Sequence, residues 1–349
     1  MSITVTDIVS QYGAYYENAG QNRSRLLGVP FRKSTTLGIP GIRHINTEDT
    51  VYRLANPIYL SILQQYQKGF TAKGGVDFHP NEIRLRRLKI DDSFYPSDIV
   101  ETWLGWLAGD SSRNQEEWPL VRWLFEEYYA NQIAEDKELL AVYKGVYEAP
   151  TTGTAGEGGK VFDGLRKQLQ LGAADSDYPI NVVQNIGTLA PSTCFDQIEA
   201  FDEAISDQFE NSRLIICVSP AMARAYRKAR RDSGIYTIQL GQEPNTKIDF
   251  TEHTLIGLPS MIGTTDIFAT LPENIIHLMK FRDTPDNIDL QKDKREICCL
   301  LDWMEGIGFG VNKLVWTTTE TITDAAQGGS TEGGSTEGGS TEGGGNGGN

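Results

Sequence analysis

Arg213-Leu-Ile-Ile-Cys-Val-Ser-Pro-Ala-Met-Ala-Arg-Ala-Tyr-Arg-Lys-Ala-Arg-Arg-Asp-Ser-Gly234 contains a change of period that decides how the chain is read. Residues 213–218 are short, apolar and β-branched, the pattern of a buried strand. Ser219-Pro220 then starts a helix, because serine can cap the first free N–H groups and proline is tolerated at the first helical position. Met222, Ala225, Tyr226 and Ala229 recur at i, i+3, i+4 and i+7 and form a narrow apolar stripe. Arg224, Arg227, Lys228, Arg230 and Arg231 take the other faces, and Gly234 lies where a left-handed cap is wanted. Further strands are predicted over 247–250, 254–258, 266–270 and 275–281. The result is a small α/β unit around Gly257-Leu-Pro259 with no catalytic residue at its turns.

The order of this unit, followed by Leu255-Ile-Gly-Leu-Pro259 and Phe268-Ala-Thr-Leu-Pro-Glu-Asn274, resembles the axial domain of tailed-bacteriophage major capsid proteins of the Hong Kong 97 type. In that family a strand and a helix precede a G-x-P turn, and a strand ending in A-T-x-x-N leads back to the second domain. The resemblance implies an α+β fold: an N-terminal arm (1–45), an extended-loop region (46–95), a peripheral domain with a long spine helix (96–179), an axial domain (180–274), return strands of the peripheral domain (275–320) and a tail (321–349). Residues 77–107 also look like the corresponding region in crAss-like phages. The opening residues show no cleavable prohead segment.

With 349 residues the chain can bury one large or two medium cores. Its net charge of −15 argues against a protein that coats nucleic acid, which needs clustered Lys and Arg to neutralise phosphates. Cys194, Cys217, Cys298 and Cys299 have no framework spacing, and the adjacent pair would point to opposite faces of a strand, so free thiols in a reducing compartment are expected. Neither a signal peptide nor an apolar run of membrane length is present.

In residues 1–45 Gly13, Gly20, Gly28, Pro30, Gly38, Pro40 and Gly41 interrupt scattered apolar residues, so this arm is expected to order only against the body or against a neighbour. Residues 52–67 carry a mixed, partly helical pattern. Residues 70–95 read as extended, with turns at Lys73-Gly-Gly75 and His79-Pro-Asn81 and an alternation that changes phase at Arg86-Arg87, as at a bulge. Lys73, Arg84, Arg86, Arg87 and Lys89 make this a basic ribbon in an acidic protein. In the family the segment is a loop lying across the adjacent subunit, where opposite charge would steer the contact; on the residues alone it equally suits a solvated edge strand protected by cations.

Asp98…Glu101 suggests a capping box before a helix to Gly109. The longest helix is predicted over 116–144, with Pro119 in its first turn, Gly145 at its end and Val121, Leu124, Phe125, Tyr128, Leu139, Val142 and Tyr143 inward. It resembles the spine helix of the family's peripheral domain. Residues 151–159 read as a glycine-rich loop, 161–171 and 192–209 as helices, and 181–183, 297–301 and 309–316 as strands, the last two returning to the peripheral domain. Gly-Gly-Ser-Thr-Glu then repeats three times from Gly328 to Glu342. With nothing apolar to bury, that tail is a solvated spacer with a reach of roughly 25 Å.

Recognisable chemistry is absent. Gly158-Gly-Lys160 fails as a phosphate loop, and Gly306-Ile-Gly-Phe-Gly310 suits a bent strand better than a dinucleotide fingerprint. His44, His79, His253 and His277 could meet only by spatial convergence, Ser219 lacks the nucleophile-elbow context, and Asp91-Asp92 and Asp202-Glu203 suit a solvated acidic surface. No catalytic residue, cofactor or metal is expected.

The resemblance implies a structural protein that self-assembles as hexamers and pentamers into an icosahedral head enclosing double-stranded DNA without sequence-specific binding. It would be assembled in the host cytoplasm and housed in the virion, with scaffold, portal and decoration proteins as further partners. Candidate inter-subunit residues are Lys73, Arg84, Arg86, Arg87, Lys89, Arg224, Arg227, Lys228 and Arg231; nothing specifies a cross-link at Lys68 or Lys73. The arm and the basic hairpin are expected to find their partner on another copy, so that removing residues 73–87 leaves capsomers or monomers. An acidic α/β hydrolase and a monomeric binding module remain the alternatives.

Overall fold

The computed structural model describes residues 5–17, 35–59, 63–73, 76–109, 115, 117–232, 247–248, 251–280 and 288–323. Gly234, half of the strand predicted over 247–250 and the glycine-rich tail lie outside them.

The predicted α/β unit is present. Strand β6 (Ile215–Val218) is buried at every position and runs into a helix over Pro220–Asp232. Beside it lie β7 (Thr254–Gly257) and β8 (Ile267–Thr270). With β5 (Asn181–Val183) and β12 (Val315–Thr318) they form a sheet in the order β5-β12-β8-β6-β7. Alternation splits its residues between two cores. Ile216, Val218, Ile267, Ala269 and Trp316 meet the helices Cys194–Glu203 and Pro220–Asp232, while Ile215, Cys217, Phe268 and Val315 join the main core. Thus the segment predicted over 309–316 is strand only at Phe309, the end of a strand in the second sheet, and from Val315, which pairs here with β5 and β8.

The second sheet is built on β11 (Glu296–Phe309), a continuous 14-residue strand where the sequence suggested only residues 297–301. Its neighbours are β4 (Arg86–Phe94), β10 (Ile288–Asp293) and β9 (Ile275–Lys280), and β9 pairs in parallel with β1 (Arg43–Asn46). Gly306 and Gly308 sit inside β11 because another backbone crosses it there. A Cβ on Gly306 would lie 2.7 Å from the Arg84 carbonyl oxygen, and one on Gly308 2.8 Å from Ile83 Cγ1.

That crossing backbone belongs to a hairpin of β2 (Val51–Tyr59) and β3 (Val76–Arg84). The part-helical pattern expected from residue 52 is therefore a strand to Tyr59, and His79-Pro-Asn81 is no turn. Pro80 sits opposite Ala55 within the ladder, and a two-stranded ribbon tolerates the missing N–H because both its edges are open. Ile83, Leu85 and then Leu88 are buried, so the phase change expected at Arg86-Arg87 is real: it is the step from hairpin to sheet.

Helix α1 is Val5–Tyr12, and α2 is Pro96–Ala108. The latter starts two residues before the supposed capping box, after Tyr95 and without a side-chain cap, because Pro96 supplies the first turn. Helix α3 covers residues 120–141, about 33 Å at 1.5 Å per residue. Pro119 precedes it and Gly145 closes it, its N–H bonding the Ala141 carbonyl at 3.0 Å. It alternates α segments with π turns at Leu124–Tyr129 and Lys137–Ala141. A π turn inserts one extra residue and rotates the next turns of the helix about its axis. Consequently Tyr128 faces solvent with Tyr129 buried in its stead, and Lys137 and Glu138 turn inward. Helices α4 (Leu165–Ala174), α5 (Cys194–Glu203), α6 (Pro220–Asp232) and the short α7 (Thr319–Thr323) complete the chain.

The arm corrects an expectation. Ile8 and Tyr12, one turn apart on α1, are buried in the main core with Leu37 and Ile42, and Lys292 Nζ reaches Thr6 Oγ1 at 3.0 Å. The described arm thus orders against its own body. Two such buried side chains contribute about 1.5–3 kcal/mol each, enough to hold a two-turn helix that its own propensity would not.

Candidate functional site

The sequence-nominated cations do not form one ribbon. Lys73 lies near the hairpin tip and donates to the Leu63 carbonyl. Arg84 ends β3, 3.5 Å from Glu82, which also holds Arg53 at 2.7 Å. Those two guanidinium groups, Arg53 foremost, keep the Glu82 carboxyl below its usual range. Arg86, Arg87 and Lys89 lie on β4 in the large sheet. Arg86 is half-buried with its guanidinium 3.7 Å from the centre of the Tyr147 ring, Arg87 meets Asp302 at 2.6 Å, and Lys89 pairs with Asp91. Much of this charge is answered within the chain.

On α6, Arg224, Arg227, Lys228 and Arg231 are exposed, whereas Arg230 is buried and donates from Nη1 to the Lys247 carbonyl at 2.7 Å. Arg227 Nε bonds the Ala223 carbonyl at 3.1 Å, and Arg231 meets Asp232 at 3.0 Å. A cleft between α6 and β7 is lined by Pro220, Ala223, Leu255, Ile256, Gly257 and two ionisable side chains, Tyr226 and Arg227. It brings no acid–base pair together.

The hairpin tip is the feature that its own chain leaves uncovered. Leu63, Tyr66 and Phe70 are 85%, 92% and 97% exposed. Around them are Gln64, Gln65, Gln67, Lys68 and Lys73, with no acid among residues 63–73. Three large apolar side chains almost fully in water on a projecting ribbon are the signature of a surface with a partner.

Inside, polar side chains that the sequence left scattered converge. His44 Nδ1 lies 3.0 Å from His277 Nδ1, His277 Nε2 lies 2.5 Å from Glu305 Oε1, and Glu305 accepts from Lys137 Nζ at 3.0 Å and Trp303 Nε1 at 2.9 Å. Burial alone would raise the Glu305 pKa; the Lys137 ammonium and the His277 and Trp303 N–H donors outweigh it and hold it at about 2. Nearby, Glu138 accepts from the backbone N–H and the hydroxyl of Thr36 at 2.9 and 2.5 Å, and from the Ser260 N–H at 2.9 Å. A third cluster joins His253 Nδ1 to Asp202 at 2.5 Å and His253 Nε2 to the Phe209 carbonyl at 2.9 Å. Burial would lower the His253 pKa, but those two acceptors raise it. Periodicity could not have found these groups. The π turn brings in Lys137 and Glu138, and the β1–β9 pairing brings His44 to His277.

These clusters fasten segments together. Among the described residues no group of three or more His, Cys, Asp or Glu could hold a metal, all four cysteines are free, and no helix is long and apolar enough to cross a membrane.

No family model matches the chain, and no curated protein matches it. Solved structures do. A chain of the satellite phage P4 procapsid with size determination (Sid) protein superposes with a TM-score of 0.55 at 12% identity, covering 88% of this chain and 95% of that one. A chain of the native GTA particle capsid gives 0.48 at 11% identity over 82% and 90%, and one from the capsid of Myoviridae phage XM1 gives 0.45 at 14% over 80% and 89%. Over nearly its whole length the protein has the fold of a phage procapsid chain.

Proposed function

We propose that this protein is a major capsid protein of the Hong Kong 97 type, a structural component of the virion that builds an icosahedral head and carries out no catalysis. The observation that carries the reading is the likeness to a procapsid chain, which leaves little of either chain unmatched. It is joined by the uncovered hairpin tip, which gives one copy a reason to bind another. In this reading β5–β8, β12, α5 and α6 form the axial domain, whose copies meet in hexamers and pentamers. The sheet on β11 with α2 and α3 is the peripheral domain, and the β2–β3 hairpin is the extended loop. The exposed cations of α6 serve contacts between copies, and the net negative charge keeps the shell from adhering to the double-stranded DNA it encloses. Scaffold, portal and decoration proteins are its further partners. The crAss-like affinity rests on residues 77–107 alone. A hydrolase or a monomeric binding module is not favoured, because the matched folds are capsid chains.

Light scattering and negative-stain imaging of the purified chain test the reading. Closed particles of hundreds of ångströms are expected; a stable monomer under all assembly conditions would overturn it.

A further inference from the structure

We propose that the groove between α6 and the free edge of β7 receives an extended segment of another protein, which adds a strand to the sheet and places an apolar side chain and a carboxylate in the cleft between helix and strand. This goes beyond the shell reading and does not depend on it. β7 is the last strand of its sheet. Thr254 and Leu258 direct their N–H groups at the β6 side, to the Leu214 and Val218 carbonyls at 2.9 Å each. Successive residues of a strand turn their backbone groups to opposite sides, so those of Leu255 and Gly257 face away from β6. Among the described residues that outer side carries one isolated bridge, Lys247 to Thr254, and no strand alongside residues 255–257. An edge of this kind is a template for one more strand. The cleft opens at the same place: Leu255 and Gly257 line it from the edge, and Ala223, Tyr226 and Arg227 line it from α6. Gly257 permits the close approach of the helix, since a Cβ there would lie 3.0 Å from Ala223 Cβ and 3.1 Å from Pro220 Cα.

The chemistry of the occupant follows from the lining. The cleft holds about 230 Å³, less than the roughly 300–1,000 Å³ of pockets that enclose a whole small-molecule ligand, and suits one large apolar side chain. Arg227 is exposed, its Nε is taken by the Ala223 carbonyl at 3.1 Å, and among the described residues no acid meets its terminal nitrogens. A carboxylate is the planar partner that a guanidinium accepts best. Arg224 and Lys228, within one turn, add positive potential along the groove, and with Arg231 they keep the role between copies proposed above. Side chains two residues apart on an added strand share a face, so the apolar residue and the acid stand at i and i+2. The chain's own tail offers acids but, from Gly328 on, no apolar residue to fill the cleft. The occupant is therefore a segment of a different protein.

Two end-capped, fluorescently labelled heptapeptides of one composition test the site by anisotropy on the purified full chain. In Thr-Glu-Thr-Leu-Thr-Glu-Thr the glutamates share the leucine's face of the strand; in Thr-Thr-Glu-Leu-Glu-Thr-Thr they lie on the opposite face. Saturable binding of the first below about 1 mM is expected, with the second about tenfold weaker. Arg227→Ala, at an exposed position, should weaken the first peptide about tenfold and leave the melting temperature of the chain unchanged. Equal affinity for the two peptides, binding undiminished by Arg227→Ala, or no saturation up to about 1 mM would each overturn the site. To test the added strand itself, the first peptide is methylated on the leucine nitrogen in one version and on both flanking threonine nitrogens in another. Only one of these sets faces β7, so one version should lose binding and the other keep it; binding that survives in both would overturn strand addition. None of these outcomes bears on particle formation, which tests the shell reading separately.

Discussion

The Nδ1 atoms of His44 and His277 lie 3.0 Å apart and fasten the edge strand β1 to β9 beyond what their backbone ladder does. One of the two facing Nδ1 atoms donates and the other accepts, so each ring satisfies the other. His44→Ala leaves the buried His277 Nδ1 without that partner and should cost about 1–3 kcal/mol. Hydrogen exchange should show the amides of Arg43–Asn46 opening faster while those of β6 stay protected. Equal acceleration in both would mean that the contact is not local.

The ion pair of Lys137 and Glu305 predicts an acid-sensitive core. The Glu305 carboxyl, at about 2 in the folded chain, binds its proton near 4.3 when unfolded. Its contribution is therefore complete above about pH 5 and is lost as pH falls towards 2. Lys137→Met strands a buried carboxylate and should cost about 3–5 kcal/mol at pH 7. Thermal melts at pH 7, 4 and 2.5 should show the gap between the variant and the parent closing as pH falls; a constant gap would contradict the assignment.

Gly306→Ala tests the crossing of the hairpin over β11. The new methyl group would meet the Arg84 backbone, which cannot swing aside as a flexible side chain can. A loss of about 1–3 kcal/mol is expected in chemical denaturation. Gly105→Ala, in open space on α2, serves as the control and should be neutral or stabilising.

Excising residues 60–75 and joining Tyr59 to Val76 through Asn-Gly removes the tip at a point where the two ends are already register partners. Leaving the core untouched, the change should shift the melting temperature by only a few degrees yet abolish particles. The wider cut over 73–87 would also remove Ile83 and Leu85, both buried, and so confuse misfolding with lost assembly. Normal particles from the tip excision would separate the hairpin from assembly.

The sequence made the α/β unit legible because β6 and α6 each carry an unbroken local period, and the burial of Ile83, Leu85 and Leu88 matches the phase change visible at Arg86-Arg87. It hid whatever depends on distance or on a change of helical pitch. Ile8 and Tyr12 are a helical pair among too many glycines to stand out, yet they are held by a core built from far along the chain. Tyr128 and Tyr129 exchange places through a single inserted residue, and Lys137 and Glu138 look solvent-facing in any 3.6-residue repeat. Among the nominated cations, Arg86 proved to be stacked on Tyr147, a partner 61 positions away that charge patterning cannot see.

Strand β12 lies between β5 and β8, one place in from the edge of its sheet, although Val315 comes later in the sequence than every residue of the other four strands. On the ribosome β6, β7 and β8 can pair as they emerge, but β5 has no neighbour to join until β12 has left the exit tunnel. Synthesis itself thus sets a clock: a nascent chain cannot complete this sheet until β12 has emerged.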